Sequence, residues 1–542
     1  MQNKELAKAF KLTAQLLELH NENPFKVKSY NNAAFKIDKL DLHFATLSIG
    51  EIEKIEGIGK SIAAAITEFL NTGTSQDLNK LTALTPSGVI EMLAIKGIGP
   101  KKIQVIWKEL QIESIGELLY ACNENRLIDL KGFGLKTQEM VKKAIEFKLS
   151  NSGKFHYAIA EQTAYRLIEF VKNRLDTPLL SLTGEIRRKC EIIEKIDLLI
   201  GSSEQPDLSG FDNPANIPVN IINCPGELFY WKLFETTGNK EHLHKFESIT
   251  KLNASFNYSS EKEIYTSKSL QFIVPELREG LEEIELAGKN QIYPLVELSD
   301  LKGILHVHTK YSDGIHSLEE MARHAKELGF QYIGITDHSQ SAFYANGLKP
   351  DKILLQHAEI DKLNQELAPF KIFKGIESDI LNSGLLDYSN DVLKSFDFVI
   401  ASVHSNLKMT MEKATERLLK AIENPYTTIL GHMTGRLLLS REGYPVDHKS
   451  IIDACYKHHV IIELNAHPYR LDIDWRWIKY AIQKGVKISI NPDAHQKQGY
   501  SDMYYGTCVA RKGCLTKEMT FNSFSKDEME NYFNEKKNNR IF

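Results

Sequence analysis

The C-terminal part of the chain alternates short apolar runs with amphipathic segments of helical length. Met411–Ile422 and Trp475–Gln483 are two of the helical segments, and each lies between two apolar runs. Strands and helices that alternate in this way form a parallel sheet, and seven such units predict a closed or nearly closed barrel. The seven predicted strands are Gly303–Thr309, Tyr332–Ile335, Lys371–Ile376, Phe398–Ser402, Thr427–Leu430, Val460–Leu464 and Lys487–Ile490.

Six of these seven strands end on a side chain that can bind a metal ion. His306 and His308 are two residues apart, so on a strand both side chains point to one face. The active site of such a barrel lies at the C-terminal ends of its strands, in the loops that follow. The polar residues at these ends are His306, His308, Asp313, Asp337, His338, Glu377, His404, His432, Asn465, Asp493 and His495.

A single buried histidine is more often a core residue than a metal ligand. Here thirteen of the eighteen histidines lie between His306 and His495, and core packing alone does not explain their recurrence at strand ends. The pattern therefore predicts a cluster of metal ions held by imidazole and carboxylate groups. The histidines outside the pattern are predicted to be structural or surface residues, namely His316, His324, His357, His448, His458, His459 and His467.

Residues 1–150 are predicted to be almost entirely helical, with three hairpins of the form apolar-x-Gly-apolar-Gly. Glycine allows close approach to a ligand, and the N–H groups that begin the next helix bind phosphate, to which a nearby lysine adds charge. One such hairpin is equally well explained as a plain tight turn. Three copies resemble helix-hairpin-helix motifs, which hold the DNA backbone without reading its sequence. The residues concerned are Gly57, Gly59, Lys60, Gly97, Gly99, Lys101, Gly132, Gly134 and Lys136.

Residues 151–290 predict a mixed α/β domain, and the barrel spans residues 300–542. The order of the three parts resembles the bacterial and archaeal family X DNA polymerases that carry a C-terminal polymerase-and-histidinol-phosphatase (PHP) domain. The barrel motifs that carry the resemblance are HVHTKYSDG, TDHS, GIESDI, ASVHS, GHMTGR and NPDAH. The resemblance implies a multidomain protein with an all-α helix-hairpin-helix domain, a palm-like α/β domain and a distorted (β/α)7 PHP barrel.

The resemblance also implies the site in the barrel. In that family nine ligands hold two or three divalent metals, usually manganese and sometimes zinc. The matching residues here are His306, His308, Asp313, His338, Glu377, His404, His432, Asp493 and His495. Such a cluster activates water near neutral pH and stabilises in-line displacement at phosphorus. We expect Asp313, His338 and Asp493 to be catalytic, and Arg436 either to steady the phosphate or to pair with Glu442.

The palm-like domain departs from the family pattern. Its residues at the polymerase site are Gly184, Glu185, Arg187, Arg188, Lys195, Asp197 and Asn220. Glu185 stands in place of a serine that meets the nucleotide phosphates, and would repel them. Lys195 and Asn220 stand in place of two of the three carboxylates that hold the polymerase metals. The sequence therefore predicts an inactive polymerase site, with the palm retained as a scaffold or a DNA-positioning surface.

Charge and cysteine content fit this interpretation. The chain has 67 lysines and arginines against 71 aspartates and glutamates, which argues against a uniformly basic coat but not against local basic patches. Its six cysteines include no CxxC pair, which is typical of reduced thiols. The sequence shows no signal peptide and no membrane-spanning run. We expect a cytoplasmic monomer that binds gapped, nicked or 3′-ended DNA.

The expected function is DNA repair by a metal-dependent phosphodiesterase, acting as a 3′→5′ exonuclease or on abasic and blocked 3′ ends. Three alternatives stay open. An active family X polymerase with a PHP editing nuclease conflicts with the palm substitutions. A non-catalytic DNA-binding scaffold conflicts with the complete ligand set. A small-molecule phosphatase leaves the three hairpins without a purpose.

Overall fold

The computed structural model describes residues 3–39, 44–95, 97–128, 130–149, 153–175, 177, 179–250 and 257–538. The chain forms two compact units, Met1–Glu146 and Phe147–Phe542. Within the described ranges, none of the helices combines the length and the apolar character that a membrane crossing requires.

The regular secondary structure described in the first unit is entirely helical. Each predicted hairpin joins two helices, and its second glycine lies directly before or near the next helix. Apolar side chains from several helices, among them Phe10, Ile37, Ile66 and Ile106, form the buried interior. The helices are α1 (Asn3–Leu19), α2 (Pro24–Lys39), α3 (Ile49–Glu53), α4 (Lys60–Thr72), α5 (Gln76–Ala83), α6 (Ser87–Met92), α7 (Pro100–Leu110), α8 (Ile115–Asn123) and α9 (Leu135–Leu149).

The first half of the second unit is a small α/β region. Strand β4 is the middle of a three-stranded sheet, antiparallel to β2 and parallel to β5, and β1 pairs with β3. Helix α10 packs Leu167 against this sheet beside Leu198. The elements are β1 (Phe155–His156), α10 (Tyr157–Lys172), β2 (Leu180–Thr183), α11 (Gly184–Arg187), β3 (Ile192–Ile193), β4 (Ile196–Ile200), β5 (Val219–Asn223), α12 (Phe229–Thr237), α13 (Lys240–Thr250), α14 (Glu261–Thr266) and α15 (Glu283–Gly288).

The second half is a barrel of seven parallel strands that follow one another in sequence order, β6 to β12. Its elements are β6 (Gly303–Leu305), α16 (Leu318–Glu327), β7 (Tyr332–Ile335), α17 (Pro350–Glu366), β8 (Lys371–Asp379), α18 (Asn390–Leu393), β9 (Phe398–Ser402), α19 (Met411–Ile422), β10 (Thr427–Leu430), α20 (His448–Lys457), β11 (Ile461–Asn465), α21 (Trp475–Gln483), β12 (Ile488–Asn491), α22 (Met503–Lys512) and α23 (Lys526–Asn538).

The barrel is nearly closed, as the sequence predicts. Val307 and Ala494, which follow its first and last strands, form a parallel bridge. His308 N donates to Ala494 O at 2.9 Å, and Ala494 N donates to His306 O at 3.2 Å. This bridge brings the ligand-bearing ends of β6 and β12 together, although the two strands are the outermost in the sheet order.

The α/β region packs directly on the barrel through helix α22. Lys512 is buried, and its Nζ donates to Arg188 O at 2.9 Å and to Glu279 Oε1 at 2.5 Å. Tyr504 OH donates to Glu161 Oε1 at 2.5 Å. Both regions therefore belong to one compact unit, even though the sequence pattern separates them.

Candidate metal centre

The nine predicted ligand side chains meet at the C-terminal end of the barrel. None of them is more than 6% exposed. Each strand ends after its apolar run, so the polar residue that follows is carried into the barrel mouth. Among the described barrel residues alone, three groups offer ligand atoms that all lie within 4.8 Å of one another: His308 with Asp313, His338 and His495; His306 with His308 and Asp493; His338 with Glu377 and His404.

Glu377 lies at the centre of the cluster. Its Oε1 is 3.0 Å from His432 Nε2, 3.1 Å from His404 Nε2 and 3.3 Å from His306 Nε2. Its other carboxylate oxygen, Oε2, is 2.9 Å from His338 Nδ1. One carboxylate that faces several imidazoles has the arrangement of a ligand shared between neighbouring ions.

Asp313 and Asp493 complete the acidic part of the cluster. His308 Nε2 is 3.0 Å from Asp493 Oδ1. His495 Nε2 is 3.4 Å from Asp313 Oδ1, and His338 Nε2 is 3.6 Å from Asp313 Oδ2. Asp493 has a left-handed backbone with φ of 54°. The cluster therefore has two acidic ends, and His308 lies between them, with its Nδ1 3.8 Å from Asp313 Oδ1.

Two buried carboxylates that the sequence analysis missed orient the imidazoles. Glu463 Oε1 is 2.6 Å from His306 Nδ1, and Asp379 Oδ1 is 2.5 Å from His404 Nδ1. A carboxylate on one ring nitrogen fixes the tautomer and directs the other nitrogen to the metal. Glu463 lies within the apolar run of β11, whose end lacks an ionisable ligand, and an acid buried in such a run was the available signal.

Asp337 has a positioning role rather than a place in the cluster. It accepts hydrogen bonds from Thr309 N and Thr309 Oγ1, both at 2.7 Å, from Ser312 Oγ at 2.5 Å and from Gln356 Nε2 at 2.6 Å. Burial raises its pKa to about 6. These bonds fix the backbone that leads to Asp313.

The charges of the cluster are strongly coupled. Burial alone would raise the pKa of Glu377, but the neighbouring imidazoles of His404, His306 and His338 hold that pKa well below its ordinary value. Burial alone would lower the pKa of His404, but Glu377 and Asp379 raise it to about 9. Without metal, protons on the imidazoles thus balance the negative charge of the carboxylates. Metal cations would balance the same charge when bound.

The donor set fits divalent metal ions. Among the described residues, His306 Nε2, His308 Nδ1 and Glu377 Oε2 are buried atoms that make no hydrogen bond. Buried polar atoms are rarely left in this state, so each calls for a partner such as an ion. Imidazole and carboxylate without thiolate suit manganese or zinc.

The guanidinium of Arg436 is hydrogen-bonded to residues 470–474. Its Nε donates to Arg470 O at 3.0 Å, its NH1 donates to Asp474 Oδ2 at 2.6 Å and its NH2 donates to Leu471 O. Its ion-pair partner is Asp474, not Glu442. The arginine near the cluster is the buried Arg470, whose Nε is 3.9 Å from Asp493 Oδ2.

In the α/β region, the residues of the predicted polymerase site bind one another. Lys195 Nζ is 3.0 Å from Asp197 Oδ1, and Asn220 Nδ2 donates to the same oxygen at 2.6 Å. Gly184 has φ of 66°, and a Cβ there would lie 2.6 Å from Asp197 Oδ2. Glu185 Oε2 accepts from Glu194 N at 3.0 Å.

The two arginines of this region are also paired. Arg187 forms an ion pair with Glu261, and its NH1 donates to Thr237 Oγ1 at 2.7 Å. Arg188 Nε is 3.1 Å from Glu279 Oε1. Each of these two guanidinium groups therefore has a carboxylate partner.

The three glycine hairpins have the expected local geometry. The first glycine of each has a positive φ: 84° at Gly57, 94° at Gly97 and 86° at Gly132. Gly59 and Gly99 are the N-cap residues of α4 and α7. The nearby side chains of Lys60, Lys101 and Lys136 are exposed, which leaves the start of each helix accessible to an anion. Lys96, which belongs to the second hairpin, lies outside the described residues.

Family models match three parts of the chain. Residues 1–75 match a helix-hairpin-helix domain, residues 89–146 match a SAM-like helix-hairpin-helix tandem and residues 305–467 match the PHP domain. The DNA polymerase/3′-5′ exonuclease PolX of Bacillus subtilis (strain 168) is 32% identical over 567 aligned positions, which cover 98% of this chain and 99% of that protein. The chain belongs to the PolX family.

The barrel of this PolX family member is also similar to phosphatases. A probable phosphatase of Thermoanaerobacter sp. (strain X514) is 27% identical over 243 positions, covering 43% of this chain and 94% of that protein. A solved histidinol phosphate phosphatase of Lactococcus lactis, complexed with zinc, L-histidinol and phosphate, covers 40% of this chain and 94% of its own at 16% identity and a TM-score of 0.31. The PHP domain of this PolX family member identifies a metal-dependent phosphoesterase, and its helix-hairpin-helix domains identify a DNA-binding protein.

Proposed function

We propose that this PolX family member is a DNA repair phosphodiesterase that removes nucleotides or blocking groups from DNA 3′ ends in its barrel, while its polymerase site is silent. The observation that carries the proposal is the buried cluster of nine ligand side chains around Glu377. Two or three divalent ions, manganese or zinc, fit its overlapping ligand groups. The three parts assigned from the sequence, 1–150, 151–290 and 300–542, then serve DNA binding, positioning and hydrolysis.

The residues of the barrel divide the work of hydrolysis. When bound, the divalent ions supply Lewis acidity at phosphorus and to the attacking water. Glu463 and Asp379 hold the imidazoles of His306 and His404 in the tautomer that ligation needs. Arg470, whose Nε is 3.9 Å from Asp493 Oδ2, is positioned to bind a phosphate oxygen beside the cluster.

The contacts of Asp197 support a silent polymerase site. The retained carboxylate is neutralised by Lys195 at 3.0 Å and by the amide of Asn220 at 2.6 Å. A metal ion would have to displace both groups and then find two fewer anionic ligands than a two-metal site uses. Glu261 and Glu279 in addition occupy the arginines that would meet a triphosphate. We infer that the palm positions DNA instead.

In this proposal the hairpins of the first unit bind the DNA backbone. Backbone N–H groups and exposed lysines bind phosphates without reading bases, so affinity falls steeply as salt rises. Such contacts suit gapped, nicked or 3′-ended DNA of any sequence. We propose that the working species is a monomer.

The test uses a 5′-labelled primer annealed to a template, with manganese, in one tube without deoxynucleotides and in a second with them. We expect the primer to shorten in both tubes. Chelation by EDTA, Asp493→Ala and His338→Ala should each stop the shortening. His324→Ala is the matched control, because His324 is a partly exposed histidine of α16 outside the cluster. Template-dependent lengthening in the second tube would contradict the silent palm.

A small-molecule phosphatase is the second candidate, and the likeness of the barrel to probable phosphatases favours it. Hydrolysis of p-nitrophenyl phosphate in the presence of competing DNA separates the two. Strong inhibition by short 3′-ended DNA supports the nuclease, since one site then serves both substrates. Unaffected hydrolysis, with no DNA cleavage, supports the phosphatase.

A further inference from the structure

Phe343 is an exposed aromatic side chain on a loop at the C-terminal end of the barrel. It lies on the loop that follows β7, five residues beyond the ligand His338, and is 86% exposed. Its neighbours Ala342 and Ala345 are buried, and Phe343–Ala345 form a short 3₁₀ helix. The loop is therefore well packed while the ring is not. An exposed aromatic ring at such a position offers apolar area and a π face that a ligand can cover.

The loop is anchored beside the candidate ligands. Ser341 Oγ donates to Asp379 Oδ2 at 2.9 Å, and the other oxygen of Asp379 is the one 2.5 Å from His404 Nδ1. At the far end of the loop, Leu348 N donates to His338 O at 2.8 Å. One end of the segment that carries Phe343 is thus bound to a carboxylate that orients His404, and the other end is bound to His338, so the backbone at Phe343 has a defined place near the cluster.

The depth of the cluster restricts what reaches it. Its ligand side chains are at most 6% exposed, so a phosphate must enter the barrel mouth to meet them. We expect the terminal nucleotides to leave the duplex, so that a single strand enters the barrel mouth. An unpaired base loses its stacking partners in this process, and an aromatic side chain replaces them in most single-strand sites.

We propose that Phe343 is a stacking platform for the unpaired base at the 3′ end of DNA, next to the phosphate that is hydrolysed. The inference rests on the proposed function, and it names the substrate form: a frayed or single-stranded 3′ end. The ring binds any base, because every base presents a flat π surface. It selects for the presence of a base rather than for its identity.

Lysines on the same end of the barrel support a nucleic-acid strand as the occupant. Lys310, Lys349 and Lys408 are exposed, and they lie on the loops after β6, β7 and β9. A backbone that approaches the acidic cluster needs positive charge along its path. Positive charge combined with an aromatic platform is the composition of sites that bind single strands without sequence preference.

The first experiment measures binding without metal, in EDTA, so that no cleavage occurs. The probe is a short single-stranded oligonucleotide with 2-aminopurine as its 3′-terminal base. We expect stacking on Phe343 to quench its fluorescence. Phe343→Ala and Phe343→Leu should abolish the quench and weaken binding roughly tenfold, whereas Phe343→Trp should retain both. Tyr456→Ala is the matched control, an aromatic 57% exposed at the opposite end of the barrel.

The second probe has the same sequence with a stable abasic residue at its 3′ end. The intact protein should bind this probe as weakly as Phe343→Ala binds the first, and Phe343→Ala should weaken it no further. Equal weakening of both probes would overturn the stacking role, as would an unchanged quench in Phe343→Ala. Melting curves confirm that each variant is folded. Failure of the proposed function is distinct, because it appears as intact DNA in manganese with the wild-type protein.

Discussion

Lys195 Nζ lies 3.0 Å from Asp197 Oδ1, so the substituted residue neutralises the retained carboxylate of the predicted polymerase site. Asn220, which pairs with Asp197 across β4 and β5, donates to the same oxygen at 2.6 Å. Two substitutions that were separate in the sequence therefore act on one atom. In the α/β region these three residues form an internal ion pair and hydrogen bond.

Restoring the two carboxylates should restore ion binding. We expect the double variant Lys195→Asp with Asn220→Asp to bind manganese in the α/β region, because three acids would then face one another without a cation. Isothermal titration in an Asp493→Ala background, where the barrel site is impaired, measures the added site. Lys172→Asp, at an exposed surface pair, is the control for charge alone. No gain in ion binding would show that more than these two residues blocks the site.

The hydrogen bond between Asp379 and His404 should be worth a large part of the metal affinity. We expect Asp379→Asn to weaken metal binding and hydrolysis by about 10- to 100-fold, the usual range for carboxylates that orient a ligand imidazole. Metal content after dialysis and turnover of p-nitrophenyl phosphate are the measurements. Asp361→Asn, at an exposed pair with Lys374, should change neither. An Asp379→Asn protein with full metal content would contradict the orienting role.

Substitution of Arg470 should affect substrate binding, whereas substitution of Arg436 should affect stability. Arg470→Gln should raise the KM for phosphoester substrates while leaving the melting temperature near that of the wild type, since Arg470 is proposed to bind phosphate. Arg436→Gln should lower the melting temperature, because it removes three hydrogen bonds that hold residues 470–474. Steady-state kinetics and thermal melts of both variants check this. If Arg436→Gln instead changed KM without changing the melting temperature, phosphate binding would be assigned to Arg436 rather than to Arg470.

The contact between the α/β region and the barrel should weaken in acid through His156. Burial lowers the pKa of His156 to about 4, and its Nε2 lies 3.0 Å from Leu438 O. The unfolded chain binds a proton near pH 6.5. Between that pH and pH 4 only the unfolded state gains this proton, so stability falls as pH falls. The loss reaches at most about 3 kcal/mol.

The measurement for His156 is the melting temperature from pH 7 down to pH 4.5. The melting temperature of His156→Gln should fall less steeply over this pH range than that of the wild type, because glutamine does not titrate there. His324→Gln, at a partly exposed site, is the control for losing a histidine in general. Parallel curves for the wild type and His156→Gln would mean that His156 is not the group responsible.

Much of the barrel could be predicted because its signals are local. The bounds of β9, β10, α19 and α21 agree with those predicted, since a buried run of fixed length and a helical period are properties of neighbouring residues. The bounds of β8 and β6 differ from those predicted, and in both strands the difference begins near a polar residue that follows the apolar run. β8 continues through Glu377 to Asp379, and β6 stops before His306, whose φ is 122°.

The candidate ligands could be grouped from sequence, because the barrel itself brings strand ends together. Once the strands are parallel and sequential, the residues that follow the apolar runs lie at one rim. This pattern also includes Asp337 and Asn465, and it was the family resemblance that implied which nine residues are ligands. The hydrogen-bond partners Glu463 and Asp379 required the structure, since in the sequence they look like ordinary acids within or after a strand.

The sequence by itself determined the order of the parts, the seven-stranded barrel, the gathering of ligand residues and the departure of the α/β region from its family pattern. Only the tertiary structure decided which groups pair. In the folded protein Arg436 donates hydrogen bonds to residues 470–474, Arg470 lies beside Asp493, and Lys195 forms an ion pair with Asp197. The physical reason is range: periodicity acts between neighbours in the chain, whereas hydrogen bonds and ion pairs depend on distances that folding alone creates.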